Sequence, residues 1–221
     1  MMRVLAIDTS TLLAGVALLC GTGETVETVA AVEAPRPGSH AMHLIDLIDR
    51  VMTKSGWDKN RLDAFVVVHG PGAFTGIRIA LGTAQGLALA SNRPCVGVNT
   101  LEAMAEASGK CPRERVPALG AGRGQLYVAR YDADSSPPAE RAAPGLQTAE
   151  LFWQAPPGYV LWGPGAEPPA ELNPDSGRQA GGQLAPAAGR IALLRGIPTT
   201  PDQAVSPLYI RTSDAEAKHR S

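Results

Sequence analysis

Three short segments hold residues whose types and spacing could do chemistry. Asp8-Thr9-Ser10 follows the apolar run Val4–Ile7 and places a carboxylate and two hydroxyls on a hairpin turn. An Asx or Ser/Thr turn needs the same residues. Gly70-Pro71-Gly72-Ala73-Phe74-Thr75-Gly76 lies between an apolar run and a helical pattern, where a chain can hold an anion. The details of known phosphate loops are missing. Ile77 stands where a Walker loop has Lys, and the glycine after Gly72 comes four residues on, not three as in the dinucleotide fingerprint. A tight strand-to-helix turn accounts for the segment better. His40-Ala41-Met42-His43 sets two imidazoles three residues apart at a helix start, but no third ligand is in sight. Metal sites need three or four, so no metal is expected. Nucleophilic catalysis has the least support. There is no Gly-x-Ser-x-Gly elbow, and His69 near Thr75 reads as a histidine satisfied at a strand end.

The elements that position these groups are legible from periodicity. Val4–Ile7, Ala14–Cys20 and Val26–Glu33 read as an antiparallel meander, with turns at Asp8–Thr11 and Gly21–Glu24. Ser39 can cap a helix from His40 to about Ser55, stopped by Gly56. Its apolar stripe is Ala41, Leu44, Ile45, Ile48, Val51 and Met52, widened by Leu47. Ala64–His69 suits a buried strand. Thr75 to Ala90 reads as a helix that is apolar almost all round, although Gly76, Gly82 and Gly86 each cost ~1 kcal/mol relative to Ala. Close backbone approach on a packed face would offset that cost. Val96–Val98 is a strand, and Thr100 can cap a helix to about Ala107. Residues 1–107 therefore read β-β-β-α-β-α-β-α, a mixed sheet with helices on its faces. Beyond them lies a smaller unit, 108–211. It has a hairpin, Val116–Ala121 with Gln125–Tyr131, around Gly122-Arg123-Gly124. A loop follows at Asp132–Gly145, then a strand at Tyr159–Trp162 and a second loop at 166–182. A helix from Pro186 to Arg195 and an extended Val205–Arg211 complete it. Residues 212–221 read as a polar tail.

The 221 residues carry Lys+Arg 20 against Asp+Glu 21, a net charge of −1. A chain that grips nucleic acid alone needs a basic surplus or stripe. Cys20, Cys95 and Cys111 are widely spaced and odd in number, which suits unpaired thiols in a reducing compartment. Asp8 breaks the first apolar run, unlike a signal peptide, and no run approaches the ~18 residues of a membrane span. A cytoplasmic location is expected.

In combination these motifs are specific. Val4-Leu5-Ala6-Ile7-Asp8-Thr9-Ser10, the helix opening Ser39-His40, Gly70 through Ile79, and Val96-Gly97-Val98-Asn99-Thr100-Leu101-Glu102-Ala103 occur in that order. Pro207-Leu208-Tyr209-Ile210-Arg211 and Ser213-Asp214-Ala215-Glu216 follow near the end. The chain resembles the TsaB (YeaZ) family, strongly over 1–107 and in patches beyond. The resemblance implies an α/β actin-like ATPase (ASKHA) fold of two ribonuclease-H-like halves, mixed sheets flanked by helices, with the second half reduced. It implies a non-catalytic scaffold that heterodimerises with TsaD, the related subunit that moves threonylcarbamoyl onto the adenosine beside the anticodon (position 37) of ANN-decoding tRNAs. TsaE joins as an ATP-dependent third component, tRNA is met only through the complex, and a homodimer is expected for the chain alone. No cofactor is implied. TsaD carries its metal on His-x-x-x-His after an equivalent Val-Asn. Here Val98-Asn99 leads into Thr100 and Met104, neither a replacement for imidazole. Asp8, Thr9 and Ser10 then read as a vestigial form of the actin-like phosphate loop, whose carboxylate holds Mg²⁺ through water. The rival reading is an active ATPase using Asp8 and Thr9. The second-half turn, Gly120-Ala121-Gly122-Arg123, lacks the carboxylate of the family's Asp-Ala-Arg. The docking residues expected on the two apolar helices are Leu44, Leu47, Ile48, Val51, Phe74, Ile77, Arg78, Leu81 and Gln85.

Overall fold

The computed structural model describes residues 1–22, 25–35, 40–171, 176–180, 182–199 and 204–210, and the side chains of 40–42 are outside that description. The expected cap at Ser39, part of the turn at 21–24 and the tail from 212 lie outside the described residues.

Strands β1 (Met2–Asp8), β2 (Leu13–Thr22) and β3 (Thr25–Pro35) form the expected antiparallel meander. Helix α1 (His40–Ser55) and a 3₁₀ turn at Lys59–Arg61 lead to β4 (Ala64–Val68), parallel to β1. Helix α2 (Phe74–Ser91), β5 (Cys95–Val98) and α3 (Thr100–Ser108) complete the first half, whose sheet order is β3-β2-β1-β4-β5. The cap of α3 is Asn99, not Thr100. Its side chain accepts from the backbone N–H of Leu101 at 2.7 Å, and Asn favours this position.

The second half repeats the plan. Its elements are β6 (Arg115–Gly122), β7 (Gln125–Tyr131), β8 (Glu140–Thr148), α4 (Ala149–Gln154), β9 (Tyr159–Trp162), β10 (Gly177–Gln179) and α5 (Leu184–Arg195). The sheet order β8-β7-β6-β9-β10 matches β3-β2-β1-β4-β5, with the same antiparallel and parallel pairings. This is the actin-like arrangement of two ribonuclease-H-like halves. The second is reduced: α4 is one short helix where α1 has 16 residues, and the connection from β9 to β10 holds no counterpart of α2 among the described residues. Part of the segment read as a loop, 132–145, is strand β8, and β10 and α4 lacked a periodic signal altogether.

Side-chain alternation sorts the core into layers. Leu5, Ile7, Val16, Leu18, Phe65 and Val67 face α1 and α2. Val4, Ala6, Ala17, Leu19, Ala64 and Val66 face α3 and α5. That second cluster also takes in Leu119, Ala129 and Tyr131 from the other sheet, so one core runs across the division drawn at residue 107. Helix α5 packs on β1, β2 and β4, while α3 packs on β6, β7 and β9. Each half thus lends its last helix to the space between the sheets. No described helix is long and apolar enough to cross a membrane.

Candidate functional site

The Asp8 turn lies at a cleft between the two halves, and the chain's own groups close it. Asp8, Thr9 and Ser10 are all buried. Asp8 Oδ1 accepts from the Ser10 N–H at 2.8 Å and from its hydroxyl at 2.6 Å. The Thr9 hydroxyl donates to the carbonyl of Gly76 at 2.6 Å. The Gly70–Gly76 turn covers the rest. Ala73 N–H donates to Ser10 O at 2.8 Å, and a Cβ on Gly72, whose φ is +152°, would lie 2.3 Å from that same oxygen. Only glycine lets the two turns meet. The cleft beside them is lined by Asp8, Leu12, Glu33, Met104, Leu119 and Gly163. Its volume of about 260 Å³ falls below the roughly 300–1,000 Å³ of small-molecule sites. Met104 therefore faces the cleft, while Thr100 is buried with its hydroxyl unpaired among the described residues. Among the described residues, no group of three His, Cys, Asp or Glu could hold a metal. His43 is half-buried, and the side chain of His40 lies outside the description. His69 directs Nδ1 to the carbonyl of Ser206, at 2.9 Å.

The charged groups near the cleft belong to its frame. Glu102 and Glu106, on one face of α3, pair with Arg195 and Arg190 of α5. Burial raises the Glu102 carboxyl above the usual range, and Arg195 opposes that rise. Burial likewise pushes the Cys95 thiol up to about 11, which makes it a poor thiolate. Below them, Arg115 is buried and gives all five of its N–H donors to the carbonyls of Ala105, Gly109, Asp132 and Ser135 and to Asp132 Oδ1. Two of those carbonyls end α3, where a cation is favoured. Nothing in the pattern around position 115 distinguished this arginine from a surface one.

The docking residues read from the sequence divide into two groups. Leu44, Leu47, Ile48, Val51, Ile77 and Leu81 are buried against the sheet. A 3.6-residue stripe marks the face a helix hides, and here that face is hidden by the chain itself. Phe74 and Arg78 are exposed and Gln85 is half-exposed. They meet residues 204–210 of the chain. Phe74 stacks on Tyr209 with ring centroids 5.4 Å apart, Arg78 Nε donates to the Tyr209 hydroxyl, and Gln85 Nε2 donates to the carbonyl of Val205.

The outward side of the helix pair carries other residues. Ile45 is 46% exposed and Leu89 85% exposed. Ile45, Ile48, Met52, Trp57, Phe65 and Leu87 line a groove of about 620 Å³ between α1 and α2. Gly82 and Gly86 are exposed on α2, and a Cβ at either would meet nothing within 4 Å. The close approach expected of these glycines is absent among the described residues.

The family model for TsaD, tRNA N6-adenosine threonylcarbamoyltransferase, matches residues 36–139. Over 137 residues the chain is 38% identical to the tRNA threonylcarbamoyladenosine biosynthesis protein TsaB of Escherichia coli (strain K12), a match covering 61% of this chain and 57% of that one. The protein of the same name from Haemophilus influenzae is 33% identical over 131 residues, covering 58% of this chain and 53% of that one. The match thus spans little more than half the length of these curated relatives. A solved structure from Pseudomonas aeruginosa, described as an uncharacterized protein with similarity to peptidase YEAZ, superposes with a TM-score of 0.73 at 25% identity. That superposition covers 96% of this chain and 100% of the other.

Proposed function

We propose, from the premise that the chain belongs to the TsaB (YeaZ) family, that it serves tRNA threonylcarbamoyladenosine synthesis as a non-catalytic subunit. It docks TsaD through the outward side of α1 and α2 and supports the partner's threonylcarbamoyl transfer to position 37 of ANN-decoding tRNAs. TsaE joins that pair with ATP, tRNA is bound by the complex, and the same face pairs two copies when the chain is alone. The work takes place in the cytoplasm. Asp8, Thr9 and Ser10 are engaged within the chain and beside a small cleft, which weighs against their use on a nucleotide.

The observation that carries the reading is the pair of open glycines. Gly82 and Gly86 each cost the helix about 1 kcal/mol relative to Ala, and no contact among the described residues offsets it. A partner helix approaching across that smooth strip, beside the exposed Ile45 and Leu89, would do so. Charges at Leu44 or Leu81, by contrast, would unfold the chain before testing an interface, because both are buried.

The test is size-exclusion chromatography with light scattering on this chain, alone and with TsaD. The double variant Gly82→Leu, Gly86→Leu should fold with equal or greater stability, since Leu favours helix over Gly. It should bind TsaD at least about thirtyfold more weakly, the scale of losing an interface hot spot. Undiminished binding by a folded variant would remove this face from the interface. No binding by the unaltered chain, with TsaE and nucleotide supplied, would remove the scaffold reading itself.

A further inference from the structure

Residues 204–210 run extended along the side of the first half, where they make a layer of contacts on one turn. Leu208 N–H donates to the carbonyl of His69 at 2.8 Å, and His69 Nδ1 bonds the carbonyl of Ser206 at 2.9 Å. Val205 packs onto the core under α2, and Gln85 holds its carbonyl. At the far end, Tyr209 is stacked on Phe74, and the Arg78 guanidinium sits 3.9 Å over the Phe74 ring. The approach is close: a Cβ on Gly70 would lie 2.8 Å from Leu208 O, and one on Gly97 would lie 2.6 Å from Val205 Cγ1.

The same turn touches the Asp8 loop on its other side. Ser10 O accepts from Ala73 N–H, Gly72 abuts that oxygen, and Thr9 holds the Gly76 carbonyl. Gly70 O in addition accepts from Thr100 N–H at 2.8 Å, the first residue of α3. Three backbone segments are therefore stacked: 204–210, then 69–76, then 8–10. The outermost is joined to the helix face, and the innermost lines the inter-sheet cleft.

We propose that residues 204–210 are a strap that couples the exposed face of α2 to the inter-sheet cleft. Seated, the strap pins the 69–76 turn, and the turn pins Asp8, Thr9 and Ser10. Released, it frees both. The strap is the element suited to move. It has no sheet partner among the described residues, Ala204, Ser206 and Tyr209 are exposed, and segments of that kind open locally well below the cost of global unfolding. Anything that presses on Phe74, Arg78 or Tyr209 acts on the strap directly, and coupling of this kind needs a contiguous two-state element rather than a long path. The inference goes beyond the assignment to a tRNA-modifying complex and stands without it.

Hydrogen exchange read by mass spectrometry tests it on the full chain. Two variants are compared with the unaltered protein: Tyr209→Ala, which removes the stack, and Leu208→Pro, which removes the N–H given to His69. The expected result is exchange at least about tenfold faster for the amides of Ser10, Ala73 and Ile77, with α5 unchanged. Faster exchange confined to 205–209 would make the segment a local cover and overturn the coupling. Exchange unchanged everywhere would overturn it too, since the strap would then not be seated by these contacts. If Leu208→Pro fails to fold, Tyr209→Ala decides alone, because its exposed ring costs the core nothing.

Discussion

The corner between β1 and β2 and the corner between β6 and β7 hold matching places in two sheets of the same order, yet they are secured by different means. The first carries Asp8, Thr9 and Ser10, all buried, and interlocks with a second turn through Gly72. The second carries Gly120, Gly122, Arg123 and Gly124 and no carboxylate, and Gly120 lies against the backbone of Gly165. What stiffens the second half is elsewhere: Arg115 and Asp132 tie the end of α3 to the start of the segment before β8. A duplicated strand plan therefore does not duplicate the local solution. In the first half the turn's carboxylate and hydroxyls are engaged by hydrogen bonds within the chain. In the second no carboxylate stands at the turn, and a buried cation holds the neighbouring connection in place.

This contrast can be broken at several points. Arg115→Ala should cost most, about 3–5 kcal/mol by urea denaturation, because it removes the cation paired with Asp132 and leaves several carbonyls without their donor. Gly72→Ala should cost about 3 kcal/mol, since the added Cβ meets Ser10 O and the φ of +152° is strained for any other residue. Acid should act on the second half through Asp132. Burial pulls the Asp132 carboxyl up, but hydrogen bonds from Ser135, Ala139 and Arg115 outweigh it and hold it at about 2. A lowered carboxyl stabilises above its unfolded value near 3.8 and loses that contribution as pH falls through about 2. About 2 kcal/mol should vanish across that window in the unaltered protein and not in Asp132→Asn, read from pH-dependent denaturation. Smallest is Thr9→Val, which removes one hydroxyl donor from Gly76 O and should cost about 1 kcal/mol in thermal melts. If Thr9→Val cost more than Arg115→Ala, the ranking of the two corners would be reversed.

Much of the fold was readable because its signals are local. The continuous apolar runs of β1 and β2, the 3.6-residue stripe of α1 and the Gly-Pro-Gly break before α2 each follow from neighbouring residues. The second half was less readable for a physical reason. Strand β8, with Pro144 and Gly145 inside it, and three-residue β10 have no period strong enough to see, and pairing with β7 and β9 makes them strands. The site divided in the same way. The Asp8 turn was visible as a turn, while its closure by Gly72 depends on a segment more than sixty residues away.

The amino-acid sequence determined the order of elements in the first half, the residue types at the Asp8 and Gly70 turns, and the family resemblance, because all three depend on local spacing. Only the tertiary structure decided which side of each apolar helix faces water. A stripe of Leu44, Leu47 and Val51 reports that a face is buried but not by what, and here the sheet of the same chain covers it. The surface left over, with Ile45, Gly82, Gly86 and Leu89, is not set apart by any period, since Ile45 shares the apolar stripe of the buried Leu44 and Ile48 and the surface is defined by what the described residues leave uncovered.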